Sequence, residues 1–254
     1  DTCNLSMKSN INEYLDYRCK GKIIYNYSGF IELIEKKIPV EEIEKKYFIY
    51  EKGFCITHNR FEQKLKRLSD IICSLIIILI TWPIILISGI IVKLESKGPV
   101  LFKQPRIGLN GYIYILYKFR SMKRHDEDKY SKYSQGASDE RITKFGKFMR
   151  KTRIDELPQI FNILKGEMSF VGPRPEWDKL GKEYEKELPY YKMRYMVKPG
   201  VTGWAQVKYP YGANLEDALR KLEYDLYYIK RQNFLMDVQV LFETVKIVLF
   251  GKGQ

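Results

Sequence analysis

Cysteine and histidine are scarce in this chain of 254 residues, with Cys3, Cys19, Cys55 and Cys73 far apart and only His58 and His125 to accompany them. No Cys-x-x-Cys pair occurs, which argues against a zinc site, because such sites need several soft ligands at close spacing. Four scattered thiols suit a reducing compartment better than a disulfide framework. A secretory leader, basic and then apolar, is also missing, and the chain begins at Asp1. The expectation is a piece of something longer. With 45% hydrophobic and 30% charged residues, disorder and collagen are excluded and a sizeable core is expected.

Acidic residues are outnumbered. Forty-four Lys and Arg against 31 Asp and Glu leave a net charge of +13, which calls for an anionic partner: nucleic acid, anionic lipid or a phosphorylated substrate. The excess is local. Residues 1–63 are neutral, with ten side chains of each sign, whereas sixteen basic and six acidic side chains lie between Lys93 and Arg153.

That basic region follows residues 71–92, 22 consecutive residues without a charge. As an unbroken helix they would measure roughly 33 Å, enough to cross a bilayer core. Pro83 sits at the midpoint, where it removes a helical N–H, so a break or kink is expected near Trp82. Lys64, Lys66 and Arg67 precede the run and Lys93, Lys97, Lys103 and Arg106 follow it, and the positive-inside rule would keep both ends in the cytoplasm. A broken helix that enters and leaves by one face satisfies both features, in preference to a straight span or a buried helix.

Further along, Val100–Ile107 and Tyr112–Phe119 read as strands joined through Asn110-Gly111, a strong hairpin signal. Residues 125–140 read as a polar loop. Helices are expected from Arg141 to Thr152, from Pro158 to Leu164, and from Leu215 to Ile229 with Asn214 as cap. A final amphipathic helix carries Leu235, Val238, Leu241, Phe242, Val245, Val248 and Leu249 at helical spacing. Such a stripe is more often core than membrane contact, although the apolar run elsewhere gives an interfacial role more weight than usual. Upstream, residues 31–50 are helix-like and punctuated by Ile38-Pro39.

Three clusters could carry chemistry. Asp155-Glu156 follow Arg150, Lys151 and Arg153 and precede a Pro-opened helix; the plain alternative is ordinary helix capping. Neighbours on a helix point about 100° apart, so the two carboxylates would need different tasks. Arg174, held between Pro173 and Pro175, is an anion clamp or simply part of a rigid turn. Lys118 and Arg120 share a strand face and suit a phosphate or a lipid head group, or plain solvation.

In order, K-R-L-S-D at 66–70, S-K-G-P-V-L-F-K-Q-P-R-I-G at 96–108, Y-K-F-R-S-M at 117–122, R-K-T-R-I-D-E-L-P-Q at 150–159, F-N-I-L-K-G-E-M-S-F-V-G-P-R-P-E at 161–176 and K-P-G-V-T-G-W-A-Q-V at 198–207 resemble the bacterial sugar transferases, the monotopic polyprenyl-phosphate phosphoglycosyl transferases. The resemblance covers about Lys66 to Gly253. It implies transfer of a sugar 1-phosphate from a UDP-sugar to undecaprenyl phosphate with release of UMP. Asp155 would be the nucleophile and Glu156 its assistant, with Mg²⁺ near Asp155. Arg174, Arg150, Lys118 and Arg120 would bind phosphate, and Asp225 would be a further functional acid. The implied fold is α+β and membrane-associated: a re-entrant helix broken at Pro83, a β-hairpin, and several helices around an active site on the cytoplasmic face of the inner membrane. Three segments are expected: an appendage or upstream linker at 1–63, the membrane helix at 64–97 and the transferase domain at 98–254. An anionic bilayer is an expected partner, nucleic acid is not, and a homo-oligomer is left open. Many relatives carry Ser before the helix-breaking proline; here it is Trp82, and Thr81 or Ser88 would have to satisfy the freed backbone. The rival reading is a basic membrane-bound module that binds nucleic acid or anionic lipid without chemistry.

Overall fold

The computed structural model describes residues 11–51, 53–54, 60–123, 140–209, 212 and 214–250. Cys3, Cys55, His58, His125 and nearly all of the polar stretch 125–140 lie outside them, as does the side chain of Leu249. In chain order the elements are α1 (Ile11–Cys19), α2 (Tyr27–Glu35), α3 (Lys45–Tyr50), α4 (Arg60–Glu95), β1 (Leu101–Ile107), β2 (Ile113–Phe119), α5 (Lys144–Thr152), α6 (Gln159–Lys165), β3 (Ser169–Val171), α7 (Asp178–Glu187), β4 (Gly200–Thr202), α8 (Trp204–Lys208), α9 (Leu215–Arg231) and α10 (Phe234–Phe250). Helices dominate the described residues, and the strands among them form one antiparallel pair, β1–β2, and one parallel pair, β3–β4.

Among the described residues α4 is the one helix long and apolar enough to cross a membrane. The helix runs on through Pro83, so the break or kink expected near Trp82 does not interrupt it. A proline removes one hydrogen bond of the ladder while those on either side persist. Thr81 Oγ1 donates to the Ile77 carbonyl at 2.7 Å, a back-bond that tends to bend helices. Burial along α4 is uneven. Asp70, Ser74, Ser88 and Val92 are buried, whereas Leu75, Ile76, Leu79, Ile80 and Trp82 are exposed.

The K-R-L-S-D stretch is where the lower part of α4 is fastened. Lys66 Nζ donates to Val171 O and to Asp237 Oδ2, at 2.9 and 2.5 Å. The Arg67 guanidinium caps the end of α6 by donating to Ile163 O and Leu164 O, carbonyls that the helix itself cannot satisfy. Asp70 Oδ1 accepts from Ser169 Oγ and from Phe170 N, at 3.0 and 3.1 Å. The upper part is held by Arg120, which donates to Val92 O, Ser96 O and Pro99 O, and by packing of Val92 against Phe119 and Met149.

The hairpin forms as its turn chemistry dictates. Asn110 and Gly111 both have positive φ, 55° and 78°, as a type I′ turn requires, and Tyr112 N donates to Leu109 O. Ile107 then pairs with Ile113, and Leu101 with Phe119. In the parallel pair, backbones approach so closely that a Cβ on Gly172 would collide with Lys198 O, and one on Gly200 with Gly172 N. Two of the glycines in the V-G-P-R-P and K-P-G-V-T-G motifs are therefore there for contact between chains of backbone.

The main core gathers Trp204, Leu222, Leu226, Tyr228, Ile229 and Val240 with Ile38, Val40, Ile43 and Phe54 from upstream. Trp204 Nε1 donates to Lys36 O at 2.9 Å and Ile38 N to Glu223 O at 3.0 Å. Glu32, buried, is bonded by both Lys230 and Arg231 at 2.8 Å. Glu32, Ile38, Val40, Ile43 and Phe54, from the stretch expected to be an appendage or upstream linker, are thus packed against or bonded to the part of the molecule built from α8 and α9. α10 turns Met236, Asp237 and Val240 inward, while Leu235, Val238, Leu241, Phe242, Val245 and Val248 face outward. These members of the apolar stripe are therefore not core. Asp237 explains the choice of face, since it must meet Lys66 and the Tyr228 hydroxyl.

Candidate active site

α5 begins at Thr143, whose hydroxyl accepts from Gly146 N, and ends at Arg153 in the left-handed region, φ 58°. That reversal starts a 3₁₀ turn over Ile154–Glu156, in which neighbouring side chains diverge by about 120°. Asp155 and Glu156 accordingly have different surroundings. Glu156 Oε1 accepts from Lys118 Nζ at 2.9 Å and from Arg174 NH2 at 3.2 Å. Asp155 is buried, and its Oδ1 has no hydrogen-bond partner among the described residues.

The environments push the two carboxyls apart. Burial would raise Glu156, but Arg174 and Lys118 outweigh it and hold the group at about 2. Its folded value lies below its unfolded one, so its stabilising contribution is complete above about 4.5 and is lost as pH falls toward 2. Asp155 moves the other way, raised by burial and then by the neighbouring Glu156 charge, with Lys118, Arg150 and Arg153 opposing. A split pair of this kind assigns different chemical tasks to its members. Replacing Glu156 by Gln removes one of the charges that raise Asp155. The acid limb of the pH profile of kcat/KM should therefore shift to lower pH in Glu156→Gln; an unmoved or higher limb would show that Asp155 does not set it.

Arg174 is fixed by stitching on both sides as well as by its prolines. Gly172 N donates to Thr202 O and Gly200 N to Pro173 O, each at 2.9 Å. Arg106 on β1 donates to Pro175 O at 3.0 Å, and Ile107 N to Glu176 O. Beneath it lies Arg194, a buried guanidinium that donates from NH2 to Arg174 O at 3.0 Å, from Nε to Asp225 Oδ2 at 2.8 Å, and to the Tyr191 hydroxyl. Asp225 thus reaches the site indirectly, as the counter-charge of the residue that holds the Arg174 backbone.

Of the residues singled out from the sequence, Asp155, Glu156, Lys118 and Arg174 come together. Arg150 points to Ser121 Oγ at 2.9 Å and acts on Asp155 through its charge. Arg120 does not join them: its guanidinium is spent on the carbonyls of Val92, Ser96 and Pro99 at the end of α4. Strand alternation places Lys118 and Arg120 on one face, but α4 intervenes at the strand end and takes the second cation. Pro83 is half-buried, within the apolar stretch of α4. Arg194 escaped the sequence reading, since K-M-R-Y carries no local signal; Arg106 and Arg153 lie inside quoted motifs without having been assigned roles.

For Mg²⁺, the described residues contain no group of three His, Cys, Asp or Glu that could cage a metal. A Mg²⁺ held by one or two carboxylates together with substrate phosphates needs no such cage. The unpartnered Asp155 oxygen beside a second carboxylate fits that arrangement.

Residues 61–251 match the family model described as bacterial sugar transferase. The chain is 43% identical over 189 residues to a UDP-N-acetylgalactosamine-undecaprenyl-phosphate N-acetylgalactosaminephosphotransferase of Aeromonas hydrophila, covering 74% of this chain and 44% of that protein. It is 42% identical over 189 residues to a UDP-glucose:undecaprenyl-phosphate glucose-1-phosphate transferase of Xanthomonas campestris pv. campestris, covering 74% and 39%. These matches span less than half the length of those relatives. An exopolysaccharide production protein of Rhizobium leguminosarum bv. phaseoli, 40% identical over 195 residues, is matched over 98% of its own length and 74% of this chain. The catalytic-type constellation at Asp155 and Glu156 lies wholly inside the matched region, and the chain belongs to the bacterial sugar transferase family.

Proposed function

We propose that this chain transfers a sugar 1-phosphate from a UDP-sugar to undecaprenyl phosphate through a phosphosugar carried on Asp155. The observation that supports this most directly is the split carboxylate pair: Glu156 is locked between Lys118 and Arg174, while Asp155 keeps an oxygen without a partner. In the first step that oxygen attacks the phosphorus bearing the sugar. The bond from this phosphorus to the bridging oxygen breaks, and UMP leaves with the electron pair. In the second step an oxygen of undecaprenyl phosphate attacks the same phosphorus and the Asp155 carboxylate is released, leaving a lipid-linked sugar diphosphate. A covalent step lets a soluble donor and a lipid acceptor use one pocket in turn.

Arg174 and Lys118 supply positive charge where the attacked phosphate gains negative charge, and Glu156 keeps both aimed. Arg150 adds a further positive field at Asp155. Mg²⁺, held by Asp155 with Glu156 nearby, would neutralise the donor diphosphate. The test is UMP release from a panel of UDP-sugars with undecaprenyl phosphate. Release with one sugar and dependence on the lipid are expected; no release with any of them would sink the reading.

We further propose that α4 is re-entrant, its apex near Pro83, with both ends and the site at the cytoplasmic face of an anionic inner membrane. Support comes from burial. Both ends of α4 are tied to the domain, through Lys66, Arg67 and Asp70 and again through Val92, while the residues around 75–82 stand clear of it. A straight helix would carry Val92 about 37 Å from Arg67. Single cysteines introduced at Lys64 and Lys97 should react with a membrane-impermeant thiol reagent from the same side; labelling from opposite sides would show a straight span.

A further inference from the structure

We propose that a cavity at the tip of the β1–β2 hairpin receives the uridine of the donor, the part that leaves as UMP. The proposal rests on the transferase reading and adds the location of one half of the substrate. The site is an open cleft rather than an enclosed cavity, with a volume of about 560 Å³, within the size range of small-molecule sites. Ile107 and Ile113 from the hairpin and Tyr195 and Met196 from the 3₁₀ stretch at 191–196 form its apolar wall, and Lys182 and Lys192 stand at its edge. A planar base on a ribose fits an apolar wall of this kind. Glu185, also lining it and 3.6 Å from Lys192, offers a carboxylate acceptor for ribose hydroxyls or a base N–H.

Order along the molecule identifies the occupant. Arg174 contacts Glu156 on one side, and on the other lines a narrow groove with Ile107 and Tyr195, both of which also line the cavity. Arg174 thus stands between the carboxylate pair, which it contacts, and a groove that shares Ile107 and Tyr195 with the cavity. In a UDP-sugar the series is attacked phosphorus, second phosphate, nucleoside. The sugar hangs directly on the attacked phosphorus and so belongs near Asp155, while the uridine lies beyond the second phosphate. The membrane helix gives an independent argument. It meets β2 at Phe119, six residues from Ile113, which corresponds to about 20 Å of strand. A lipid acceptor arrives from the α4 end; the far end suits a soluble leaving group.

The experiment uses the full chain in detergent micelles, with UMP itself as the probe in calorimetry. Ile113→Trp fills the cavity from an exposed position, and Lys182→Glu reverses a charge at its edge. UMP affinity is expected to fall about tenfold or more in Ile113→Trp and several-fold in Lys182→Glu. The donor KM should rise in parallel, while the KM for undecaprenyl phosphate and the single-turnover rate at saturating donor stay within about twofold. Unchanged UMP affinity in folded variants, or no UMP binding by the parent chain, would overturn the proposal. If UMP binds at the cavity but no UDP-sugar is turned over, the transferase reading fails instead.

Discussion

Asp155→Asn is expected to reduce sugar-phosphate transfer by on the order of 10⁴-fold or more, the scale seen when a covalent nucleophile is removed. The covalent label should vanish with it: radiolabelled sugar phosphate, trapped on the parent protein by omitting the lipid acceptor, should be absent from the variant. Stability should move the other way. The folded pKa of Asp155 is raised, first by burial and then by Glu156, so the cost of keeping it ionised in the fold is absent below its unfolded value and grows as pH rises through the folded one. At neutral pH the carboxylate is a burden that Asn does not carry. Its melting temperature should be equal to or above that of the parent, a trade of stability for reactivity common at active sites. A variant that transfers at the normal rate would remove Asp155 from the role of nucleophile; one that merely unfolds would show that the residue is structural.

Arg194→Leu should be the most destabilising single change near the site. It leaves Asp225, itself almost fully buried, without its counter-charge. Breaking a buried pair from one side costs about 3–5 kcal/mol, which for a chain of this size lowers the melting temperature by roughly 6–20 °C. Replacing Arg194 and Asp225 together by Leu should recover much of that loss, because no bare charge is left inside. Activity should not recover. Arg194 also donates to Arg174 O, so the doubly substituted protein, folded but with Arg174 unsupported, should lose kcat more than stability. If the double variant regained both, the chain from Asp225 to Arg174 would be a packing device only.

Much of this arrangement was legible in the sequence because it is local. Asn110-Gly111 specifies its turn by backbone conformation alone, and Asn214 caps α9 with a reciprocal bond to Asp217, three residues on. The Asp155-Glu156 pair was visible as residue types, and its company of Lys118 and Arg174 followed from ordered motifs. Long-range pairing was not legible. Arg194 is 31 residues from Asp225, and nothing in either neighbourhood says that one neutralises the other. Arg120 lies just past the end of β2, and its partners come from the end of α4, which periodicity within β2 cannot report. The stripe on α10 has core-like spacing, and the choice of the Asp237 face for burial depends on Lys66, which lies on a different helix.

The upstream segment has a consequence for the order of synthesis. Ile38 hydrogen-bonds to Glu223, about 185 residues later, and shares a core with Leu222 and Leu226. At about 5–20 residues per second, the ribosome delivers that surface roughly 10–40 s after Ile38 has emerged. For all of that interval Ile38, Val40, Ile43 and Phe54 lack the Leu222 and Leu226 side of their core, while α4 is made in between. This segment, made before α4, is thus among the last parts of the domain to find its place, and its docking closes the domain.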